Sequence, residues 1–262
     1  MWHRRYSGGS YNMENIPLVS AICITNDRTD LLKRSITCFL AQTYAHKELI
    51  VAFPADDPAT ADLLKHFSSP MIKPFPIENA VNITLGQKRN MGIEQSSGTY
   101  FCTWDDDDWF HPRRIAAQVD FVLQKQQRSC ALSKILVYDS QEGAAYQTFS
   151  RPWEGSLLCE RSAISEHVRF GDMDRGEDSV LVCALQEKGW LDTLNNPMLY
   201  IYVYHGRNTC DRDHWVENIM SPGIRLPRET ATFISGMLQF PEPVESQSAE
   251  LERVFQEIRF SY

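Results

Sequence analysis

Residues 101–112 read FCTWDDDDWFHP: an apolar run, then Asp105, Asp106, Asp107 and Asp108 in succession, then an aromatic pair. Adjacent carboxylates repel, so a chain that keeps them together has a use for concentrated negative charge. In an extended turn alternate side chains point the same way, and Asp105 and Asp107 can share a face. Such acids can hold Mg2+ or Mn2+, which takes one or two carboxylates plus phosphate oxygens and water. A cation there attracts a nucleotide diphosphate and, as a Lewis acid, stabilises it as a leaving group. The plainer readings are a solvated acidic loop or a structural calcium site. Asp108 can instead cap the helix that follows.

Other residues could join this chemistry. His205 follows an apolar run, and a neutral imidazole suits Mn2+ better than Mg2+. A lone histidine there can equally be structural. Glu177 and Asp178 open a segment of helical periodicity, where carboxylates complement the helix dipole and stay ionised near neutral pH. Arg89, in the stretch QKRN, could meet a diphosphate or a base, with Lys88 as its rival; both also read as ordinary charged helix residues. Trp104, Trp109 and Trp153 could stack on sugar faces or simply fill the core.

These residues must be positioned by regular elements. LVSAICIT (18–25) and ELIVAF (48–53) read as buried strands, and TYFCTW (99–104) as a strand running into the acids. Helical spacing follows each: residues 29–42 after a cap at Asp27 or Thr29, then 57–67, and a segment opening at Pro112. A helix also fits 86–98, ahead of the third strand. The alternation predicts an α/β fold with a mostly parallel central sheet, whose ligands bind beyond the carboxyl ends of the strands. Thr25 and Asp27 sit at such an end, as do the acids. After residue 130, ALSKILVYD, AAYQTFSRP and GSLLCE read as strands of a smaller antiparallel or mixed part. GEDSVLVCALQEKG reads as a helix and MLYIYVYHGRNT as a strand ending near His205. We expect a flexible leader over 1–16, a catalytic domain over 17–210 divided at 129/130, and a C-terminal extension over 211–262 with a weakly helical end.

The 262 residues suit one large domain, and an apolar share of 43% supplies an ordinary core. A formal charge of −8 argues against nucleic acid as a partner. The seven scattered cysteines, with no CxxC pair, point to reduced, buried thiols and a cytoplasmic setting. No apolar run approaches the ~20 residues of a membrane span, which leaves room for a peripheral membrane contact. Phosphate-loop, GxGxxG, HExxH and GxSxG motifs are absent.

Four stretches in this order resemble the family 2 glycosyltransferases of GT-A type: VSAICITNDRTDLLKRSITCFLAQTYAHKELIVA, LGQKRNMGIEQSSGTYFCTWDDDDWFHPRRI, RGEDSVL and YVYHGRNT. Together they span about residues 18–210. The resemblance implies a metal-dependent, inverting transfer of a sugar from a nucleotide donor, most simply a UDP-sugar, to a saccharide or glycoconjugate acceptor in polysaccharide synthesis. It implies Asp105 and Asp106 at the nucleoside, Asp107 and His205 on Mn2+ or Mg2+, and Asp178 as general base. Thr25, Asp27, Asp57 and Arg89 would complete the nucleotide site, and Glu177 and Trp153 would meet the acceptor. Two departures stand out: Ile24-Thr25-Asn26-Asp27-Arg28 replaces the usual end of the first strand, and Phe53-Pro54-Ala55 precedes Asp56-Asp57. A pyrophosphorylase-like enzyme is the alternative, but it wants a glycine-rich loop after the first strand. A non-catalytic metal- or sugar-binding module is another.

Overall fold

The computed structural model describes residues 16–239 and positions 250, 251 and 253. The expected leader, except Ile16, and most of the expected helical end lie outside the described residues. The strands are β1 (Val19–Ile24), β2 (Lys47–Pro54), β3 (Ile72–Ile77), β4 (Tyr100–Thr103), β5 (Trp109–Phe110), β6 (Ser129–Leu132), β7 (Leu136–Asp139), β8 (Ala144–Gln147), β9 (Trp153–Glu160), β10 (Leu191–Leu194), β11 (Tyr200–Tyr204) and β12 (Ile224–Arg225). The helices are α1 (Thr29–Leu40), α2 (Pro58–His66), α3 (Leu85–Gln95), α4 (Arg114–Lys125), α5 (Glu177–Glu187), α6 (Arg212–Trp215) and α7 (Arg228–Gln239).

The main sheet runs in the order β10-β6-β9-β4-β1-β2-β3, and its pairings are parallel except where β9 runs against β4 and β6. Its central strand shows why. VSAICI is apolar nearly throughout because helices cover both faces. Val19, Ala21 and Cys23 pack with Leu32, Ile36 and Phe39 of α1, while Ile22 points the other way, into a cluster with Ile93 of α3 and Leu181 and Leu185 of α5. β1, β2 and β4 therefore end side by side, and a cavity opens at that edge.

A second, mixed sheet runs in the order β12-β8-β7-β11-β5. The acidic run connects the two sheets, leaving the main one at β4 and entering the second at β5. Two sequence expectations change here. ALSKILVYD is not one strand: β6 belongs to the main sheet and β7 to the second. Between them the Ser133 N–H donates to Leu194 O and the Ile135 N–H to Thr148 Oγ1, partners that no local pattern announces. The chain after residue 210 also packs into the body: Trp215, Ile219, Met220, Ala231, Ile234 and Met237 share the core of β7 and β11.

Gly86 lets α3 touch the loop that leads into α5. Its N–H donates to Met173 O, and a Cβ at this position would lie 1.7 Å from Gly171 O and 3.0 Å from Glu177 Cβ. Gly86→Ala is therefore expected to cost about 1–3 kcal/mol through overpacking, a fall of about 3–10 °C in thermal midpoint. An unchanged midpoint would mean that the loop is not seated on this helix.

Candidate active site

Each acid of the tip is held by a different partner. Asp105 Oδ1 accepts from Arg89 Nη2 at 2.8 Å. Asp106 Oδ2 accepts from Thr25 Oγ1 at 2.7 Å, and its Oδ1 lies 3.4 Å from Arg28 Nη1. Asp107 Oδ2 receives Arg28 Nη1 at 3.1 Å and His205 Nε2 at 3.1 Å. Asp108 is fully buried and turned away: Tyr200 Oη donates to its Oδ2, and the Val203 N–H to its Oδ1 at 2.9 Å. It ties the tip to β11 and does not cap α4, whose first turn has no side-chain cap. The tip's backbone is pinned by α1, through Arg34 to Asp107 O and Ser35 Oγ to Asp105 O at 3.0 Å.

Crowding and burial shift these groups. Burial, then the Asp107 charge, pushes the Asp106 carboxyl up to about 7, and burial holds Asp108 well above the usual carboxylate range. Arg89 is buried, which opposes its charge, but Asp105 and Glu177 more than offset this and raise it further. Its Nε donates to Glu177 Oε1 at 3.1 Å, so one guanidinium joins the acidic tip to the first turn of α5.

Asp178, beside Glu177, opens onto the cavity but is otherwise enclosed by protein. Burial first, and the Glu177 charge second, push its carboxyl up to about 7. Both act against the ionised state that a helix N-terminus favours. Trp153 lines the cavity nearby, with the Arg151 guanidinium 4.0 Å above its ring. Glu154 Oε1 accepts from both Arg151 Nη1 (2.6 Å) and Ser179 Oγ (3.1 Å).

One cavity of about 660 Å3 brings together Thr25, Arg89, Asp105, Asp106, Asp107, Trp153, Glu177 and Asp178. Asp27, Asp57 and His205 are not among its lining residues; His205 adjoins it at Asp107. Asp57 is committed elsewhere. It caps α2, accepting from Thr60 N at 3.0 Å and Thr60 Oγ1 at 2.6 Å, and receives the Asp27 N–H at 3.1 Å. Asp27 is exposed, with φ 49°, in the left-handed region aspartate tolerates, so it does not cap α1; neither does the side chain of Thr29. Where a base-reading acid was expected, the wall is Ile24, Phe53, Pro54, Ile77 and Ala80. Trp104 and Trp109 are core residues. Five cysteines are buried as expected, but Cys183 is exposed and Cys210 half-buried; all seven are free. Sequence reasoning passed over Arg28 and Glu154. The signal for Arg28 was a cation directly after the strand-end polar cluster.

No group of three or more His, Cys, Asp or Glu residues is arranged as a ready ion site among the described residues. The donors that fit a divalent cation are Asp107 and His205, one carboxylate and one imidazole converging from chain positions 98 residues apart. Such a pair leaves most coordination positions to phosphate oxygens and water, as Mg2+ and Mn2+ sites at phosphates do. The Arg207 N–H donates to His205 Nδ1 at 3.2 Å, which puts the ring proton on Nε2. Ligation through Nε2 would therefore need the other tautomer, with the ring proton on Nδ1 and the Arg207 N–H bond given up.

Residues 20–165, more than half of the chain, match the sequence profile of Glycosyl transferase family 2. The chain belongs to that family. An uncharacterized glycosyltransferase of Haemophilus influenzae is 31% identical over 151 residues, covering 56% of this chain and 46% of that protein. A Bacillus subtilis protein provisionally named teichuronic acid biosynthesis glycosyltransferase TuaG is 26% identical over 117 residues, covering 45% of each. The chain thus spans less than half the length of either relative. Family 2 membership agrees with the fold. TarS (residues 1–349) of S. aureus in complex with UDP-GlcNAc superposes with TM-score 0.60 at 10% identity, over 73% of this chain and 60% of that one. Mannosyltransferase PcManGT of Pyrobaculum calidifontis, in complex with GDP-Man and Mn2+, gives 0.58 at 13% identity, over 92% and 69%. The fold is that of the GT-A glycosyltransferases.

Asp108→Asn, which can still meet Tyr200 Oη and the Val203 N–H, is expected to leave the thermal midpoint nearly unchanged. Asp108→Ala strands both donors in the core at a cost of about 1–3 kcal/mol. Thermal melts of the two variants decide whether Asp108 is structural; equal, small effects would contradict that role.

Proposed function

We propose that this chain is a metal-dependent, inverting glycosyltransferase that moves a sugar from a UDP-linked donor to a hydroxyl of a saccharide or glycoconjugate acceptor. The observation that carries the reading is the joint placement of Asp105, Asp106, Asp107 and Asp178 on one cavity in a family 2 member. The UDP-GlcNAc bound by TarS and the naming of TuaG for teichuronic acid synthesis support the choice of donor and of a polysaccharide acceptor. The Mn2+ in PcManGT supports a metal.

In this mechanism the nucleoside lies against the apolar wall at the ends of β1, β2 and β3, with Thr25 holding Asp106 in place beside it. Asp107 and His205 would hold the cation, and the chemistry it would supply there is Lewis-acid stabilisation of the departing diphosphate. Asp178 takes the proton from the acceptor hydroxyl as that oxygen attacks the anomeric carbon opposite the leaving group. A base with its carboxyl near neutrality is better matched to a hydroxyl than an ordinary aspartate. Glu177, fixed by Arg89, orients the acceptor, and Trp153 offers it a flat apolar face.

We assign the protein to the cytoplasm, a reading supported by seven free thiols. No helix among the described residues is long and apolar enough to cross a membrane. A peripheral membrane contact is compatible with this assignment, and the negative net charge speaks against nucleic acid as a partner.

With Mn2+ present, UDP at about a hundred times its Kd is expected to raise the thermal midpoint by about 5–10 °C, and to do far less in EDTA. Asp178→Asn should keep that shift and lose about 100- to 10,000-fold in transfer, scored as UDP release with acceptor. In the wild type, kcat/KM should rise with pH and level off above about 7, because only the ionised carboxylate can accept the proton. Full turnover by the Asn variant would remove Asp178 as base. Absence of any nucleotide shift would remove the donor reading.

A further inference from the structure

The cavity wall carries five Lys and Arg side chains: Arg28, Lys88, Arg89, Arg151 and Arg175. Four are already paired with carboxylates. Arg28 reaches Asp107 at 3.1 Å, Arg89 reaches Asp105 at 2.8 Å, Arg151 reaches Glu154 at 2.6 Å, and Arg175 reaches Asp211 at 3.7 Å. Lys88 has no ion-pair or side-chain hydrogen-bond partner among the described residues, although it is half-buried. An ammonium in a cavity wall without a counter-charge is free to meet an arriving anion. We propose that Lys88 is the residue that binds the donor's phosphate, an inference that rests on the nucleotide-diphosphate reading above.

Position supports this. Lys88 lies in the first turn of α3, three residues after Leu85, and residues so spaced share a helix face. Leu85 belongs to the apolar part of the wall with Ile77 and Ala80, while the next residue, Arg89, reaches the acid tip. Along α3, Lys88 thus falls between a residue of the apolar lining and the residue that reaches the acids. A nucleoside diphosphate presents base, sugar and phosphates in that order, which brings its first phosphate past Lys88. Lysine serves phosphate as a compact point charge and needs no fixed fork geometry.

Arg89 is poorly placed to take the same part. It is buried between Asp105 and Glu177, held through Nη2 and Nε, and the one nitrogen left without a partner, Nη1, is itself buried; turning the group toward a ligand would leave two carboxylates uncompensated. Arg89 therefore positions the acids, and Lys88 meets the ligand.

The test is calorimetric titration of the full chain with UDP and UMP, in Mn2+ and again in EDTA, with uridine followed by ligand-observed NMR. Wild type, Lys88→Met and Lys88→Arg are compared, after circular dichroism and thermal melts show the same fold. Lys88→Met is expected to weaken UDP and UMP by about tenfold and to leave uridine unchanged. Lys88→Arg should restore most of the loss, and the salt dependence of UDP binding should be shallower in the Met variant. Wild-type affinity for UDP in Lys88→Met overturns the assignment. So does an equal loss for uridine, which would make Lys88 a reader of the base. If the wild type binds none of the three ligands, with or without Mn2+, the donor reading itself falls and this inference falls with it.

Discussion

The structure depends on how negative charge is tolerated at the tip of β4. Four carboxylates follow one another there, and the fold gives each a separate partner. Arg89 takes Asp105, Thr25 and Arg28 take Asp106, Arg28 and His205 take Asp107, and Tyr200 with the Val203 amide takes Asp108. These partners come from α3, the β1–α1 turn and β11, so neutralising the tip also joins the two sheets and the helices around them. The connection extends further through Arg89, which binds Glu177 with its other edge. A residue whose first task is to balance charge thereby fixes the distance between the acidic tip and the helix that carries Asp178.

Around this tip the cavity has linings of three kinds. Part of its lining is apolar, part is the acids with their guanidinium partners, and part is Glu154, Glu177 and Asp178 with Trp153. On the proposed reading these parts correspond to base, diphosphate and reacting sugar. Burial does different work in each. At Asp108 it makes a structural hydrogen-bonding group of an acid, whereas at Asp178 it moves an acid toward the range where proton transfer at neutral pH is effective.

Much of this was legible in the sequence because it is local. Buried strands such as VSAICI and ELIVAF announce a sheet covered on both faces, and the acids stand where a strand must end. The pair Glu177-Asp178 sits in the first turn of a helix, as its periodicity implied. What could not be read was set by partners far along the chain. Asp57 looks like a strand-end acid, but Thr60 and the Asp27 amide claim both its oxygens. Asp108 looks like a helix cap until β11 folds over it, more than ninety residues later. The break at Ser133-Lys134 depends on partners in β10 and beside β8, and the segment after residue 210 hides its packing in Trp215, Ile234 and Met237, spaced too irregularly to read as one face. Arg28 was passed over because a lone cation in a turn carries no pattern; its meaning lies in the two carboxylates it meets.

On the proposed reading the tip accepts crowded carboxylates because cations balance them, internal guanidiniums in the free protein and a divalent ion when the donor is bound. Anomalous diffraction at the manganese edge, from crystals grown with Mn2+ and UDP, tests it most directly. The account expects one strong peak within coordination distance of an Asp107 oxygen and of the diphosphate. UDP bound with no ion at Asp107, or manganese held elsewhere while Asp107 keeps only its protein partners, would contradict it.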